Sequence, residues 1–178
     1  MKIIIVLIGL LFASLTSLNS KNAIGFPNQD GRDSVYIVQL KDFYDGKGVI
    51  FSEKIDYAGL WGKNQRITPT LLDVKEAELI LDSVIDIHYK NDLLKKNEFK
   101  NKVRKCNRQY FGFSTKSNEK IIEIYLFNFE DPRSIVVFEG WDRSCILSTE
   151  DFFWTNVRIY SINITTKELM EGSDPLEF

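Results

Sequence analysis

The sequence predicts an α+β domain: an antiparallel β-meander of about four strands packed on one main helix, with an N-terminal β-hairpin. Three observations carry this. A capped stretch of helical period follows Asp73. After Lys102 the pattern changes to runs rich in Ile, Val, Tyr, Phe and Trp, separated by short turn signals. Before the helix, two β-rich runs flank an Asp-Gly turn. Strands joined by short connections cannot be βαβ units, so the sheet is expected to be antiparallel.

In chain order, MKIIIVLIGLLFASLTSLNS places Lys2 ahead of an apolar run from Ile3 to Ala13, then turns small and polar. That is the layout of an export signal over residues 1–20. The run is too short to cross a bilayer as a helix, which makes an uncleaved anchor the weaker reading. No cysteine follows it for lipidation; the first is Cys106. Residues 21–33 read as a flexible lead-in, rich in Asn, Gly and Asp. A single domain over 34–168 and an acidic tail over 169–178 complete the expected organisation.

Val35 to Leu40 and Val49 to Phe51 form the hairpin, with DFYDGKG between them. Gly59, Gly62 and Pro69 make 58–70 a loop or an extended cover strand. Asp73 is the expected N-cap of the helix, with Glu76 completing a capping box. Val74, Ala77, Leu81, Val84 and His88 give the apolar stripe, widened by Ile80 and Ile87, and Asn91 is the expected stop. Four strands are expected next: Arg104 to Phe113, Lys120 to Phe129, Ser134 to Phe138 or Ile146, and Phe152 to Ile162.

The chain carries 23 Lys+Arg against 25 Asp+Glu, a net charge of -2, so non-specific attraction to nucleic acid is not implied. The charge is uneven. Lys95 to Arg108 holds seven bases against Glu98, and Thr149 to Phe178 holds six acids against two bases. A solvated, partly compensating face explains this most simply; a site for an anionic partner is the sharper alternative. Glu78, Asp82 and Asp86 form an acidic ridge on the helix, read as solvated because no nearby His or Cys completes a cation site.

The usual metal, nucleophile and phosphate motifs are absent, and no cofactor is expected. Asn28, Asp30, Gly31 and Asp33 echo a calcium loop, but Phe26 stands where its first acid belongs. The one histidine, His88, falls on the helix stripe, where a core or edge position is commoner than a catalytic one. Cys106 and Cys145 suggest a disulfide in an exported chain. Against it, the first and third strands of a meander lie about 9.6 Å apart, beyond the roughly 7 Å a bridge spans.

Alternation makes one side of the Ile121 to Phe129 strand aliphatic, with Ile122, Ile124 and Leu126 against the helix, and leaves Tyr125, Phe127 and Phe129 on the other. Treated as a strand, Phe152 to Ile162 places Phe152, Trp154, Arg158 and Tyr160 together. Adding Arg108 and Tyr110 from the first strand yields a candidate recognition face of Arg108, Tyr110, Tyr125, Phe127, Trp154, Arg158 and Tyr160. The competing expectation is that the hairpin and the loop to Thr70 cover this face.

Lys105-Cys106-Asn107-Arg108-Gln109-Tyr110-Phe111-Gly112-Phe113, then Glu119-Lys120-Ile121 and an aromatic last strand, resembles small exported proteins of Bacteroidota whose function is unknown. The Glu76-Ala77-Glu78 helix fits too, and the order of a helix followed by strands is similar to cystatin-like folds. The resemblance covers about residues 70–165 and implies compartment and fold only. Thr149-Glu150-Asp151 departs from the Asp-Gly-Gly turn common before the last strand of that group. The expected function is a non-enzymatic exported module binding a protein, peptide or glycan. The alternatives are an exported hydrolase or isomerase with carboxylates in a sheet–helix cup, and a structural envelope protein.

Overall fold

The computed structural model describes residues 35–55, 65–146, 151–171 and 173–176. The expected export signal, the lead-in and most of the loop after the hairpin lie outside them. The elements are β1 (Val35–Val38), β2 (Gly48–Phe51), β3 (Gln65–Ile67), α1 (Leu71–His88), α2 (Leu93–Lys105), β4 (Asn107–Ser114), β5 (Lys120–Phe127), α3 (Ser134–Val137), α4 (Asp151–Asn156), β6 (Val157–Asn163) and β7 (Glu168–Leu169).

The fold is α+β, and its seven-stranded sheet is mixed. The order is β1-β2-β4-β5-β6-β7, and β3 pairs with the far end of the β4 edge that β2 also uses. The hairpin forms as β1 and β2. β2 then lies parallel to β4, with Gly48 opposite Arg108, while the other pairings are antiparallel. The helices cause this: α1 and α2 carry the chain across the sheet between β2 and β4, the kind of crossover that parallel neighbours require. A side chain at Gly48 would run into the Tyr44 hydroxyl and Val38, so this close approach requires glycine.

α1 starts one turn earlier than expected. Its N-cap is Thr70, extended at φ -78°, whose Oγ1 accepts from Asp73 N at 3.2 Å while Asp73 Oδ2 accepts from Thr70 N at 2.9 Å. Asp73 is therefore the third helical residue of the box, not the cap. The box that forms is Thr70-x-x-Asp73, upstream of the expected Asp73-x-x-Glu76. The upstream one prevails because it adds a turn and seats Asp73 against Lys120 Nζ at 2.9 Å. Thr70→Ala is expected to cost about 1 kcal/mol, the usual value of a lost cap. Asp86→Ala, which removes only half-buried ion pairs to Lys96 and Lys100 near the surface, should cost less, and urea midpoints of the two variants check the order.

Of the expected stripe of α1, Val74, Ala77, Ile80 and Leu81 are buried and Val84 is half-buried, but Ile87 and His88 are exposed where the helix ends, and Ile85, outside that stripe, is buried instead. The lysine-rich stretch is a second helix rather than the approach to a strand. Asp92 caps it through Lys95 N, and Phe99 and Val103, four residues apart, anchor it. Lys100 bridges Asp82 and Asp86 at 2.7 and 2.9 Å, and Lys96 reaches Asp86 at 3.4 Å. The acidic ridge and the basic run thus neutralise each other across the α1–α2 contact.

The strand expected from Ser134 opens instead as a short helix, α3, and the first half of the strand expected over Phe152 to Ile162 lies in a second, α4. The Asp131-Pro132-Arg133 turn starts the first, where Ser134 N donates to Asp131 O at 2.9 Å. In the second, Thr155 Oγ1 and Asn156 Nδ2 donate back to the carbonyls of Asp151 and Phe152, and the strand begins only at Val157. After β7, Asp174 N donates to Ile159 O at 2.9 Å and Leu176 is buried. Two cores result. α1 and α2 close one sheet face over Ile122, Ile124 and Leu126; Phe138 and Phe153 close the other over Phe111, Tyr125 and Phe127.

Candidate functional site

The residues expected on one open face are divided between the two cores. Tyr110 pairs with Ile124, as does Tyr160, so register places both rings on the helix side with the aliphatic stripe. Arg108 shares that side. Tyr125 and Phe127 point the other way, and all five side chains are fully buried. Trp154 stands on α4, 48% exposed, against Phe153. Arg158 is half-buried and donates to Trp154 O at 2.6 Å. The cover over Tyr125 and Phe127 comes from the α3–α4 segment. The hairpin instead widens the sheet, adding Val35, Val49 and Phe51 to the same core.

Arg108 is the centre of a polar cluster under α1. Its Nε donates to Glu78 Oε1 at 2.8 Å, its Nη1 to Cys106 O at 2.7 Å, and its guanidinium lies 4.0 Å from the centre of the Tyr44 ring. Tyr110 O–H donates to the same Glu78 oxygen at 2.7 Å. Burial raises both phenols, Tyr44 to about 12 and Tyr110 well above the ordinary value, so both stay protonated beside the Arg108–Glu78 ion pair. Glu78, read from sequence as part of a solvated ridge, is the buried end of that ridge.

A second buried carboxyl, Glu123, belongs to the opposite face. It lies between Phe111 and Ser161 in the ladder, and Oε1 accepts from Ser161 Oγ at 3.1 Å. Burial pushes this carboxyl up to about 7, opposed by hydrogen bonds from Ser161 and Tyr125. Because the sheet separates Glu78 from Glu123, the two do not converge. Cys106 and Cys145 are likewise on opposite sides and no disulfide joins them. Burial lifts the Cys106 thiol to about 12. Among the described residues no three of His, Cys, Asp and Glu are grouped to hold a metal ion, and no helix is long and apolar enough to cross a membrane.

One accessible concavity lies elsewhere, where α1 ends, α2 passes and residues 175–176 return. It has a volume of about 510 Å³, within the span of ligand sites. Phe99, Tyr89, Pro175 and Leu176 make its apolar surface. Tyr160 holds the wall from beneath, its O–H donating to Pro175 O at 3.1 Å, and Tyr89 O–H donates to Leu176 O. His88, Lys95 and Lys102 line the groove, with Glu98 as the one acid among the described lining residues. Asp92 caps α2 and so sets the helical phase that points Lys95, Glu98 and Lys102 the same way. The sequence signal for this site was the basic run, read there as a sharper alternative; Phe99 carried no signal of its own.

Compared with protein-family models, with curated proteins and with solved structures, the chain matches none.

Proposed function

We propose that this protein is an exported, non-enzymatic binding module and that its ligand, a protein, peptide or glycan, seats in the groove between α1, α2 and residues 175–176. The observation that carries the reading is the groove itself, with an apolar floor of aromatic and aliphatic side chains under cationic groups. The aromatic sheet residues serve this module as core, with Tyr160 supporting the groove wall. Export rests on Lys2 and the apolar run behind it. The cystatin-like packing belongs to the same proposal and is supported by α1 lying against β5, β6 and β7.

A hydrolase or isomerase is the second reading, favoured by one observation: Glu123, a buried carboxyl raised to about 7, has the protonation behaviour of a general acid or base. The opposite-face placement of Glu78 denies it a carboxylate partner there.

The test combines address and occupancy. Protein recovered from the native envelope or medium should have lost roughly 16 to 20 N-terminal residues by intact mass. It should also retain a bound partner that a Glu98→Trp variant, whose indole fills the groove, does not. Full-length protein in the cytosol would end the export reading. Undiminished partner retention by the variant would end the groove reading.

A further inference from the structure

Resting on that groove reading, we infer that the groove recognises a carboxylate carried beside an apolar side chain, as in an acidic, leucine-rich peptide segment. The argument is an inventory of the charges on α2. Lys95 lies 3.8 Å from Asp92, Lys96 and Lys100 bridge to the acids of α1, Arg104 meets Asp45 at 3.2 Å, and Lys105 meets Glu130 at 2.9 Å. Among the described residues Lys102 alone of the six bases on α2 has no ion pair, and it lines the groove. It is one turn from Glu98 yet forms no bridge with it.

Its neighbours in the groove add the weakly paired Lys95 and the exposed His88, against Glu98, the single acid among the described lining residues. An anion entering there meets an excess of donors whose positions are already set by a capped helix. The ligand cannot be an anion alone, because the groove that holds the cations is also lined by the half-buried Tyr89 and the exposed Pro175, apolar surface that an aliphatic side chain would cover. The carbonyls of Pro175 and Leu176 already accept from Tyr160 and Tyr89. An extended segment alternating acidic and aliphatic residues supplies both halves of this chemistry.

The experiment follows backbone amide shifts of the intact chain during titration with a capped alternating Leu-Glu peptide and with its Leu-Gln counterpart. The Leu-Glu peptide is expected to shift His88, Lys95 and Lys102 saturably. The Gln counterpart, or Lys102→Ala, should weaken binding about tenfold or more, the effect of one well-placed charge pair. Lys96→Ala, which removes a lysine turned toward α1, should leave the affinity unchanged. Equal binding of the Gln peptide, or an unaltered Lys102→Ala variant, overturns the carboxylate assignment while leaving the groove as a site. Shifts mapping to α3 or α4, or no saturable shift with the Leu-Glu peptide, overturn it as well. The groove reading is judged separately, by the Glu98→Trp block.

Discussion

Arg108→Ala is expected to destabilise the protein by about 3–5 kcal/mol, the cost of breaking a buried ion pair from one side. The guanidinium has no exposed surface and its partner Glu78 is 3% exposed, so truncation leaves a carboxylate with no water to replace the lost donor. Tyr110 O–H still reaches Glu78 Oε1, and one neutral donor does not offset an unpaired charge. The ring of Tyr44 also loses the cation stacked on it.

Replacing both partners, Arg108→Met with Glu78→Leu, should recover most of that loss, because the expensive species is the orphaned charge rather than the absent bridge. What remains is the hydroxyl of Tyr110 without its acceptor, about 1–3 kcal/mol. Urea unfolding of the two single variants and the double variant gives the coupling directly. An Arg108→Ala protein within about 1 kcal/mol of the parent would mean that water reaches this cluster.

The second large effect is a pH dependence. The Glu123 carboxyl is raised in the folded protein to about 7 from an ordinary 4.5, so between those values the native state holds a proton that the unfolded chain has released. Stability is therefore fully present below about pH 4.5 and falls as pH rises toward 7, by about 3 kcal/mol over the window. Glu123→Gln, which mimics the protonated form, should remove most of that slope and be the more stable protein at pH 8. Urea midpoints from pH 4 to 8 decide it: an unchanged slope in the variant would assign the dependence to another group. The direction distinguishes Glu123 from Asp73, whose hydrogen bonds from Thr70 and Lys120 outweigh its burial, hold its carboxyl below the ordinary value and make stability fall on acidification instead.

The groove came from a basic run whose charges could be counted in the sequence but not paired. Once α1 and α2 lie together, Asp82 and Asp86 absorb Lys96 and Lys100, and only that pairing leaves Lys102 as the exception. α2 itself was hard to see, because only Phe99 and Val103 of its thirteen residues are buried and its hydrophilic faces gave little period to read. α3 and α4 were misread because short runs of Ile, Val, Phe and Trp look like strands. Turn chemistry at Asp131-Pro132 and side-chain bonds within Asp151–Asn156 outweighed propensity there.

Local order was legible from the sequence alone: the β1–β2 hairpin around its Asp-Gly turn, the helix α1 though not its cap, β5 with Ile122, Ile124 and Leu126 toward the helix, and the α+β class though not the parallel β2–β4 pairing. Each depends on neighbours within a few residues, whose periodicity is written in the chain. Tertiary structure alone decided which residues share a face. Alternation orders side chains within a strand but sets no parity between strands, and a shift of one residue in register exchanges the faces of a whole strand. Pairing Ile124 with both Tyr110 and Tyr160 drew two rings away from Tyr125 and Phe127 and carried Arg108 under α1 to meet Glu78. The expected aromatic surface thereby became two cores, and the groove was left to the helix ends, where the sheet no longer buries what the helices carry.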